Sequence, residues 1–341
     1  MVLQMADKKS TLNIGLLENA CHSLKRGYEL WREGERTNDG WLLKEAIIWI
    51  HHGIELSLKQ LLVQTNEFLV FEKVDDATRS LAKLRRQTNK PDAGVLELFN
   101  SEESAVSVSF HNLIQRVAIM LNLSELAEGA PLRSDIDELT KLRNRIVHFS
   151  AVLDKPDVTT LLSDILEPLL KLLEREVNDS GFRFQCIPAI RRAARQVEAL
   201  KIRYEEEGVN RLARLLELFD GQEVDGTMFG LDAPIQLPHF AKVGAKRAKA
   251  FDLEGENPEE PWLIEIKFGV PNRDIFGRIV QLFEQERSRF PNARTWLVSL
   301  SDRQFSDHYR EILKQRGILF STREDVEKLE EMLHTKSKAR K

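Results

Sequence analysis

The spacing of the apolar residues changes once along this chain, and that change limits the folds open to it. From about residue 12 to residue 177 the strong patterns have a helical period, and strand patterns are nearly absent. The clearest stripe, in a segment from about 41 to 64, consists of Leu43, Ile47, Ile50, Ile54, Leu58 and Leu61. This half is therefore predicted to form an all-α helical bundle.

A turn-rich break follows the helical half. Residues 178–181 read Asn-Asp-Ser-Gly, which is typical of a domain boundary, and a further helix is predicted from about 187 to 219. After Gly221 short extended runs alternate with helices, which predicts an α/β domain. The sequence therefore predicts a multidomain protein, with a helical bundle over 1–178 and an α/β domain with a helical lead-in over 179–341.

Charge and cysteine content argue against several classes of protein. The 341-residue chain has a formal charge of −4, so any nucleic-acid binding must use local basic patches. Cys21 and Cys186 are the only cysteines and lack metal-ligand spacing, which favours a reducing cytoplasm over a disulfide framework. No signal-peptide core is visible, and Glu55 and Lys59 interrupt the best candidate membrane span. We therefore expect a cytoplasmic protein without a membrane partner.

One short stretch at 142–149, LRNRIVHF, combines side chains that RNA cleavage needs. On a helix Asn144 and His148 lie one turn apart on the same face, and Arg143 can swing toward them. A guanidinium binds phosphate oxygens in pairs, and an imidazole exchanges a proton near neutral pH. A second spacing of this kind, at 303–308, is interpreted as accidental because its intervening residues look like a loop that enters a helix.

The segment RNRIVHF resembles the R-polar-x3-H signature of the HEPN family of small helical bundles. The segments EAIIWIHHGIELSLKQLL, Glu45 to Leu62, and VSFHNLIQRV, Val108 to Val117, are similar to other helices of that family. The resemblance implies an RNase whose composite site forms when two copies dimerise through the helical domain. It implies that Arg143 and His148 are catalytic, that Asn144 is their polar companion, and that no metal is needed at this site.

The α/β half contains a second chemical pattern, in two neighbouring extended runs. Asp252 ends the run KAFD, and the next run, WLIEIKF, places Glu265 and Lys267 on one face. If the two runs form a hairpin, Asp252 can lie beside Glu265. Two carboxylates and the Ile266 carbonyl would then form an oxygen-rich pocket for Mg²⁺, where Lys267 could position or deprotonate an attacking water.

This pattern resembles the PD-(D/E)xK nuclease family, which has the restriction-endonuclease-like fold. Asp252 corresponds to the first acid and Glu265-x-Lys267 to the E-x-K, and the later helix, strand, helix, strand order also matches. Phe251 takes the place of the family's proline. The resemblance implies Mg²⁺-dependent phosphodiester hydrolysis with Asp252 and Glu265 as metal ligands. Weaker candidates for an added acid and for a helix glutamine are Glu206 or Glu207 and Gln281 or Gln285.

Several other residues have a plainer interpretation. His51 and His52 are interpreted as core-edge or surface histidines, and Glu55 with Lys59 as an ion pair one helical turn apart. The tryptophans interpreted as bundle core or dimer interface are Trp31, Trp41 and Trp49. Basic residues that could contact phosphates form two clusters: Arg191, Arg192, Arg195, Lys201 and Arg203, and then Lys242, Lys246, Arg247 and Lys249. The second cluster is favoured because it immediately precedes Asp252.

These patterns predict a nuclease that acts on RNA, with DNA as a second candidate substrate, and that forms a homodimer. By resemblance they predict a prokaryotic defence or toxin-type effector. Its helical site would be independent of metal and its α/β site would use Mg²⁺. Two alternatives remain open. One site alone is active while the other half serves dimerisation or binding, or the chain is a non-catalytic nucleic-acid-binding regulator or scaffold.

Overall fold

Helices form the first half of the chain. The computed structural model describes residues 14–87, 92–100, 106–149, 152–244, 251–257, 259–269, 271, 273–301 and 305–339. The helices up to residue 217 are α1 (Leu16–Thr37), α2 (Gly40–Thr65), α3 (Val74–Gln87), α4 (Phe110–Met120), α5 (Pro131–His148), α6 (Lys155–Glu176) and α7 (Ile187–Glu217). The predicted helical character of this half is confirmed. Within the described residues, no helix combines the length and the apolar character that a membrane span requires.

Close packing joins α1 to α2. A Cβ atom placed on Gly53 would lie only 2.6 Å from Leu24 Cγ, so glycine is what allows the two helices to approach at this point. The turn between them is fixed by Asp39, whose carboxylate accepts a hydrogen bond from the Trp41 backbone N–H at 2.8 Å and caps α2. Helix α2 is thereby held in one register against α1.

The chain separates into two compact units, and two helices belong partly to each. The first unit comprises Met1–Ala151 and Asp164–Val197, and the second comprises Val152–Ser163 and Glu198–Lys341. The division therefore falls inside α7 and not after residue 178, because the first turns of α7 pack within the first unit. The start of α6, in turn, belongs to the second unit.

Among its described residues, the second unit is built on a five-stranded mixed sheet. A short pair, β1 (Glu223–Val224) and β2 (Ile235–Gln236), precedes the sheet, whose strands in spatial order are β3 (Lys242–Gly244), β4 (Leu253–Glu256), β5 (Trp262–Lys267), β6 (Arg294–Ser299) and β7 (Leu319–Thr322). Strand β4 is antiparallel to both neighbours, whereas β5, β6 and β7 are parallel. The remaining helices are α8 (Arg273–Arg289), α9 (Asp307–Gln315) and α10 (Arg323–Ala339). The predicted α/β character is confirmed.

Alternation along β5 gives the sheet two apolar faces. Ile264 and Ile266 belong to one core, which includes side chains of α7 and α10. Leu263 belongs to the other core, which includes side chains of α8 and α9. Glu265 and Lys267 share the Leu263 face, at the carboxyl end of the strand. Charged side chains thus replace apolar ones where this face reaches the end of the sheet.

Candidate functional site

The motif of the helical unit lies on the last two turns of α5. Arg143 Nη1 donates a hydrogen bond to Asn144 Oδ1 at 3.0 Å, so the amide holds the guanidinium beside it. His148 is the last residue of α5 and is exposed. The structure therefore brings Arg143 and Asn144 into contact and leaves the His148 imidazole accessible at the end of the helix.

Helix α2 places two histidines near Arg143, whose charge acts on both His51 and His52. His51 is buried, and its Nε2 lies 3.3 Å from Thr140 Oγ1. The Thr140 hydroxyl donates to the Ile136 carbonyl at 2.7 Å, so it accepts from His51, which assigns the Nε2–H tautomer. His51 therefore ties α2 to α5 about one turn before Arg143.

Burial disfavours the charged form of these histidines. The pKa of His51 is lowered from 6.5 to about 4, first because burial removes water and then because Arg143 lies nearby. The pKa of His52 is also lowered, again by burial first, although Glu55 opposes the shift. Glu55 is paired with Lys59 at 2.7 Å, as the sequence predicts. A largely neutral histidine pair thus lies next to a permanently charged guanidinium.

The three tryptophans of this unit lie in different surroundings. Trp31 is fully buried, so its core interpretation is confirmed, whereas Trp41 is 72% exposed. Trp49 lies edge-on to His22 and His52, with ring centroids 5.8 Å and 6.5 Å away. Trp41 is therefore a surface residue, and its place in a dimer interface stays a prediction.

In the second unit the pairing of β4 with β5 brings the predicted acids together. Leu253 lies opposite Ile264, which sets Asp252 opposite Glu265. The Asp252 carboxylate accepts a hydrogen bond from the Ile266 backbone N–H at 2.8 Å, and the Glu265 carboxylate accepts one from the Asp252 backbone N–H. The predicted hairpin is therefore confirmed. Asp252 lies just before β4, so the expectation that it ends a strand is wrong. The Ile266 N–H donates to the Asp252 carboxylate and not to a backbone carbonyl of a preceding strand.

Lys267 completes the group on the same face of β5. Its Nζ lies 2.5 Å from Glu265 Oε1. Glu265 is only 9% exposed, and this burial raises the pKa of its carboxyl group. The charge of Lys267 opposes the rise, and the charge of Asp252 adds to it. Two carboxylates thus lie close together, and Lys267 is paired with one of them.

A divalent cation fits this donor set. Mg²⁺ is usually held by one or two carboxylates, with water and phosphate oxygens as its other ligands. Asp252 and Glu265 supply two such carboxylates, and a cation between them would relieve the repulsion that contributes to the raised pKa of Glu265. Across the described parts of the chain no three His, Cys, Asp or Glu side chains converge. Further ligands would therefore come from backbone, water or substrate.

The weaker candidates for an added acid and for a helix glutamine lie outside the group formed by Asp252, Glu265 and Lys267. A Cβ atom on Gly208 would clash with Phe268, so this turn of α7 packs on the Ile266 face and not on the Glu265 face. The hydrogen bonds and charges that act on Glu265 come from Asp252 and Lys267. The candidates concerned are Glu206 and Glu207 on α7 and the exposed Gln281 and Gln285 on α8.

The two basic clusters are only partly available to a phosphate. Arg191 is paired with Glu167 at 3.1 Å and with Glu174 at 3.2 Å, which offsets its charge. Arg192 and Arg195 are exposed. In the cluster before Asp252, Lys242 is exposed on β3, and the other members, Lys246, Arg247 and Lys249, lie outside the described residues.

Two buried hydroxyl groups near the end of β5 belong to neither sequence motif. Ser299 of β6 is in register with Lys267, and in the described structure neither Ser299 Oγ nor Thr160 Oγ1 has a hydrogen-bond partner. A Cβ atom on Gly269 would lie 3.6 Å from Thr160 Cγ2, so the start of α6 lies against the segment that follows β5. A single hydroxyl forms no motif, and Thr160 is distant in sequence, so no sequence signal could have found this arrangement.

Comparison with protein-family models, with curated proteins and with solved structures finds no match to this chain. The two family resemblances therefore rest on the motifs and on the geometry of their residues. The arrangement of Asp252, Glu265 and Lys267 is the closer fit to the chemistry that its motif implies, because all three side chains are in contact or are joined through the β4–β5 pairing.

The stability of the helical unit should fall on acidification because of His51. Its folded pKa of about 4 lies below the ordinary 6.5, so the unfolded chain takes up a proton first and is favoured as the pH drops from about 6.5 toward 4. At pH 4.5 this linkage amounts to roughly 2–3 kcal/mol. Urea unfolding at a series of pH values should show a shallower fall for His51→Gln than for wild type. The same change at the exposed His308 is the control, and an unchanged slope in His51→Gln would contradict the assignment.

Proposed function

We propose that the chain is a nuclease with two sites, in which the second unit hydrolyses phosphodiester bonds with Mg²⁺. The observation that carries this proposal is the convergence of Asp252, Glu265 and Lys267 at the carboxyl end of β5. The two carboxylates and the lysine lie at the rim of the sheet and not in its centre. This position would leave room for a cation and for the phosphodiester that the cation binds.

Each side chain has a definite part in this proposal. Asp252 and Glu265 hold Mg²⁺, which when bound supplies Lewis-acid stabilisation of the phosphate charge. Lys267 is 29% exposed at its side chain, so its ammonium group can reach a water molecule or a phosphate oxygen at the surface. There it orients the attacking water and offsets developing negative charge.

Replacement of Lys267 by Ala should lower Mg²⁺-dependent cleavage of labelled DNA and RNA by roughly a hundredfold or more, because one charge-stabilising group is lost. EDTA should stop the same activity in the wild type. Lys328→Ala is the matched control, since Lys328 also pairs with a glutamate, at 2.6 Å, on the exposed side of α10. A wild-type cleavage rate in Lys267→Ala would contradict the role proposed for Lys267.

We propose further that the helical unit cleaves RNA without metal through Arg143, Asn144 and His148. The support is that Asn144 holds the Arg143 guanidinium while His148 stays exposed within the next turns of α5. His148 acts as general base or acid on the ribose hydroxyl or the leaving group, and Arg143 stabilises the phosphate charge. The low pKa of His51 favours its structural role over proton transfer at neutral pH.

RNA cleavage that persists in EDTA should fall by about a hundredfold or more in His148→Ala, the size typical of a lost general acid or base. His308→Ala provides the control, because that histidine belongs to the accidental spacing at 303–308. The measurement is the cleavage rate of labelled RNA in the presence of EDTA. If EDTA abolishes all RNA cleavage, or if His148→Ala cleaves normally, the helical unit is not a metal-independent RNase.

A second copy of the chain is the proposed partner of the helical unit. Val147 and Phe149, on either side of His148, are 42% and 78% exposed, and large apolar side chains left in water beside a reactive group favour an interface. Such an interface would place two copies of His148 near each other, as the resemblance to the HEPN family requires.

Phe149→Glu should shift the protein from dimer toward monomer in light scattering, because burial of the new carboxylate costs free energy. EDTA-resistant RNA cleavage should fall together with the dimer fraction. Phe290→Glu, at an apolar residue of the second unit that is 51% exposed, should change neither quantity. A wild-type protein that stays monomeric at all concentrations would exclude the composite site.

The same assays separate the remaining alternatives. If one substitution abolishes cleavage and the other has no effect, one unit is active and the other serves dimerisation or binding. If nucleic acid binds and neither RNA nor DNA is cleaved, the chain is a regulator or scaffold. Two nucleolytic units in one chain agree best with an effector of the prokaryotic defence or toxin type.

A further inference from the structure

The two cysteines of the chain meet in the folded helical unit. Cys21 lies in the second turn of α1, and Cys186 ends a π-helical turn, Phe182–Cys186, that leads into α7. Backbone atoms of α1 and of this turn approach within 8 Å, and the Cys186 side chain acts on the Cys21 thiol as a close polar neighbour. A buried residue contacts only about 6–12 others. The proximity of the two cysteines of the sequence is therefore a specific feature of the fold.

Both sulfur atoms are held by ordered surroundings. The π turn is anchored by the Phe182 backbone N–H, which donates to Asp179 Oδ1 at 2.6 Å, and by Arg183 Nε, which donates to the Val177 carbonyl at 3.0 Å. Phe182 is fully buried, and single π-helical turns are frequent at functional positions. On the other side, close helix packing fixes α1 against α2. The two segments that carry the cysteines are therefore each held in place by contacts of their own.

We propose that Cys21 and Cys186 are a redox-active pair that closes to an intramolecular disulfide when the protein meets an oxidant of the peroxide class. In the first step one cysteine thiolate attacks hydrogen peroxide and becomes a sulfenic acid, and one water leaves. In the second step the other sulfur displaces hydroxide from the sulfenic acid, and a second water forms with the released proton. Two thiols and one peroxide thus give one disulfide and two waters.

The surroundings assign an order to the two sulfurs. Burial first, and then the neighbouring Cys186, raise the pKa of Cys21 to about 12, against the opposing charge of Lys25. Cys21 therefore stays protonated at neutral pH. Since a thiolate is the reacting species, Cys21 is a poor first nucleophile, and we assign it the second step, in which it closes the bond. Both residues are partly exposed, so a small oxidant can reach them.

The disulfide would join the start of α1 to the start of α7 across most of the helical unit. A bond that closes so long a loop restricts the unfolded chain and should raise the thermal midpoint of this unit by several degrees. This inference concerns the helical unit alone and does not rest on either nuclease proposal.

The test begins with the reduced full-length protein at low micromolar concentration, treated with a small excess of hydrogen peroxide and then denatured. We expect both thiols to be lost to a thiol reagent, the intact mass to fall by two hydrogen atoms, and the tryptic peptides 10–25 and 184–191 to be linked. The product should keep the mass of a single chain on a non-reducing gel, and a reductant should restore both thiols and the lower thermal midpoint.

The controls separate a built thiol pair from ordinary surface oxidation. Cys21→Ser and Cys186→Ser should lose the thermal shift. In a Cys186→Ser background, Phe184→Cys places a thiol on the same turn at a position that is 80% exposed; it should react with the thiol reagent and should not link to Cys21. Two thiols that survive peroxide, disulfides that form only between chains, or an equally fast link to the residue-184 thiol would each overturn the proposal.

Discussion

The candidate site of the second unit depends on the register between β4 and β5. Because side chains alternate along a strand, a shift by one residue would turn Glu265 and Lys267 into the core that holds Ile264. The register is reinforced by hydrogen bonds in both directions, from the Ile266 N–H to the Asp252 carboxylate and from the Asp252 N–H to the Glu265 carboxylate. The bonds that fix the hairpin are therefore the same bonds that bring the two acids together.

Burial disfavours the charged form of a side chain at both candidate sites, so it lowers the pKa of a histidine in one and raises the pKa of a carboxyl in the other. In the helical unit it removes charge, since it lowers the pKa of His51 and leaves Arg143 as the lasting positive group. In the α/β unit it raises the pKa of Glu265, while Lys267 and the backbone N–H of Asp252 favour the ionised carboxylate. A phosphate would thus meet a cation of fixed charge in the first unit. In the second unit it would meet two neighbouring carboxylates, whose mutual repulsion a bound cation would relieve.

Most features that the sequence predicts correctly follow from the local spacing of apolar residues. The helical stripe around Ile50 and Ile54 predicts α2, and the alternation around Glu265 predicts both β5 and the face that its charged residues share. The remaining features depend on packing between distant segments. The hydrogen bond of His51 to Thr140, the approach of Thr160 to Gly269 and the division of the chain inside α7 have no local signal. Lys246, Arg247 and Lys249 of the basic cluster lie outside the described residues, so their contact with phosphates stays a prediction.

The pair formed by Glu265 and Lys267 would also be present in a silent sheet, so it does not by itself favour a nuclease over a scaffold. Ser299 is more informative, because it stands in register with Lys267 and its hydroxyl is buried without a hydrogen-bond partner in the described structure. A buried unpaired hydroxyl costs about 1–3 kcal/mol, a cost that alanine at the same position would avoid. A binding scaffold gains nothing from that cost. The proposed active site would use that hydroxyl: if a cation occupied the two carboxylates, Lys267 would lose Glu265 as its partner, and the Ser299 hydroxyl on the neighbouring strand could then accept a hydrogen bond from it.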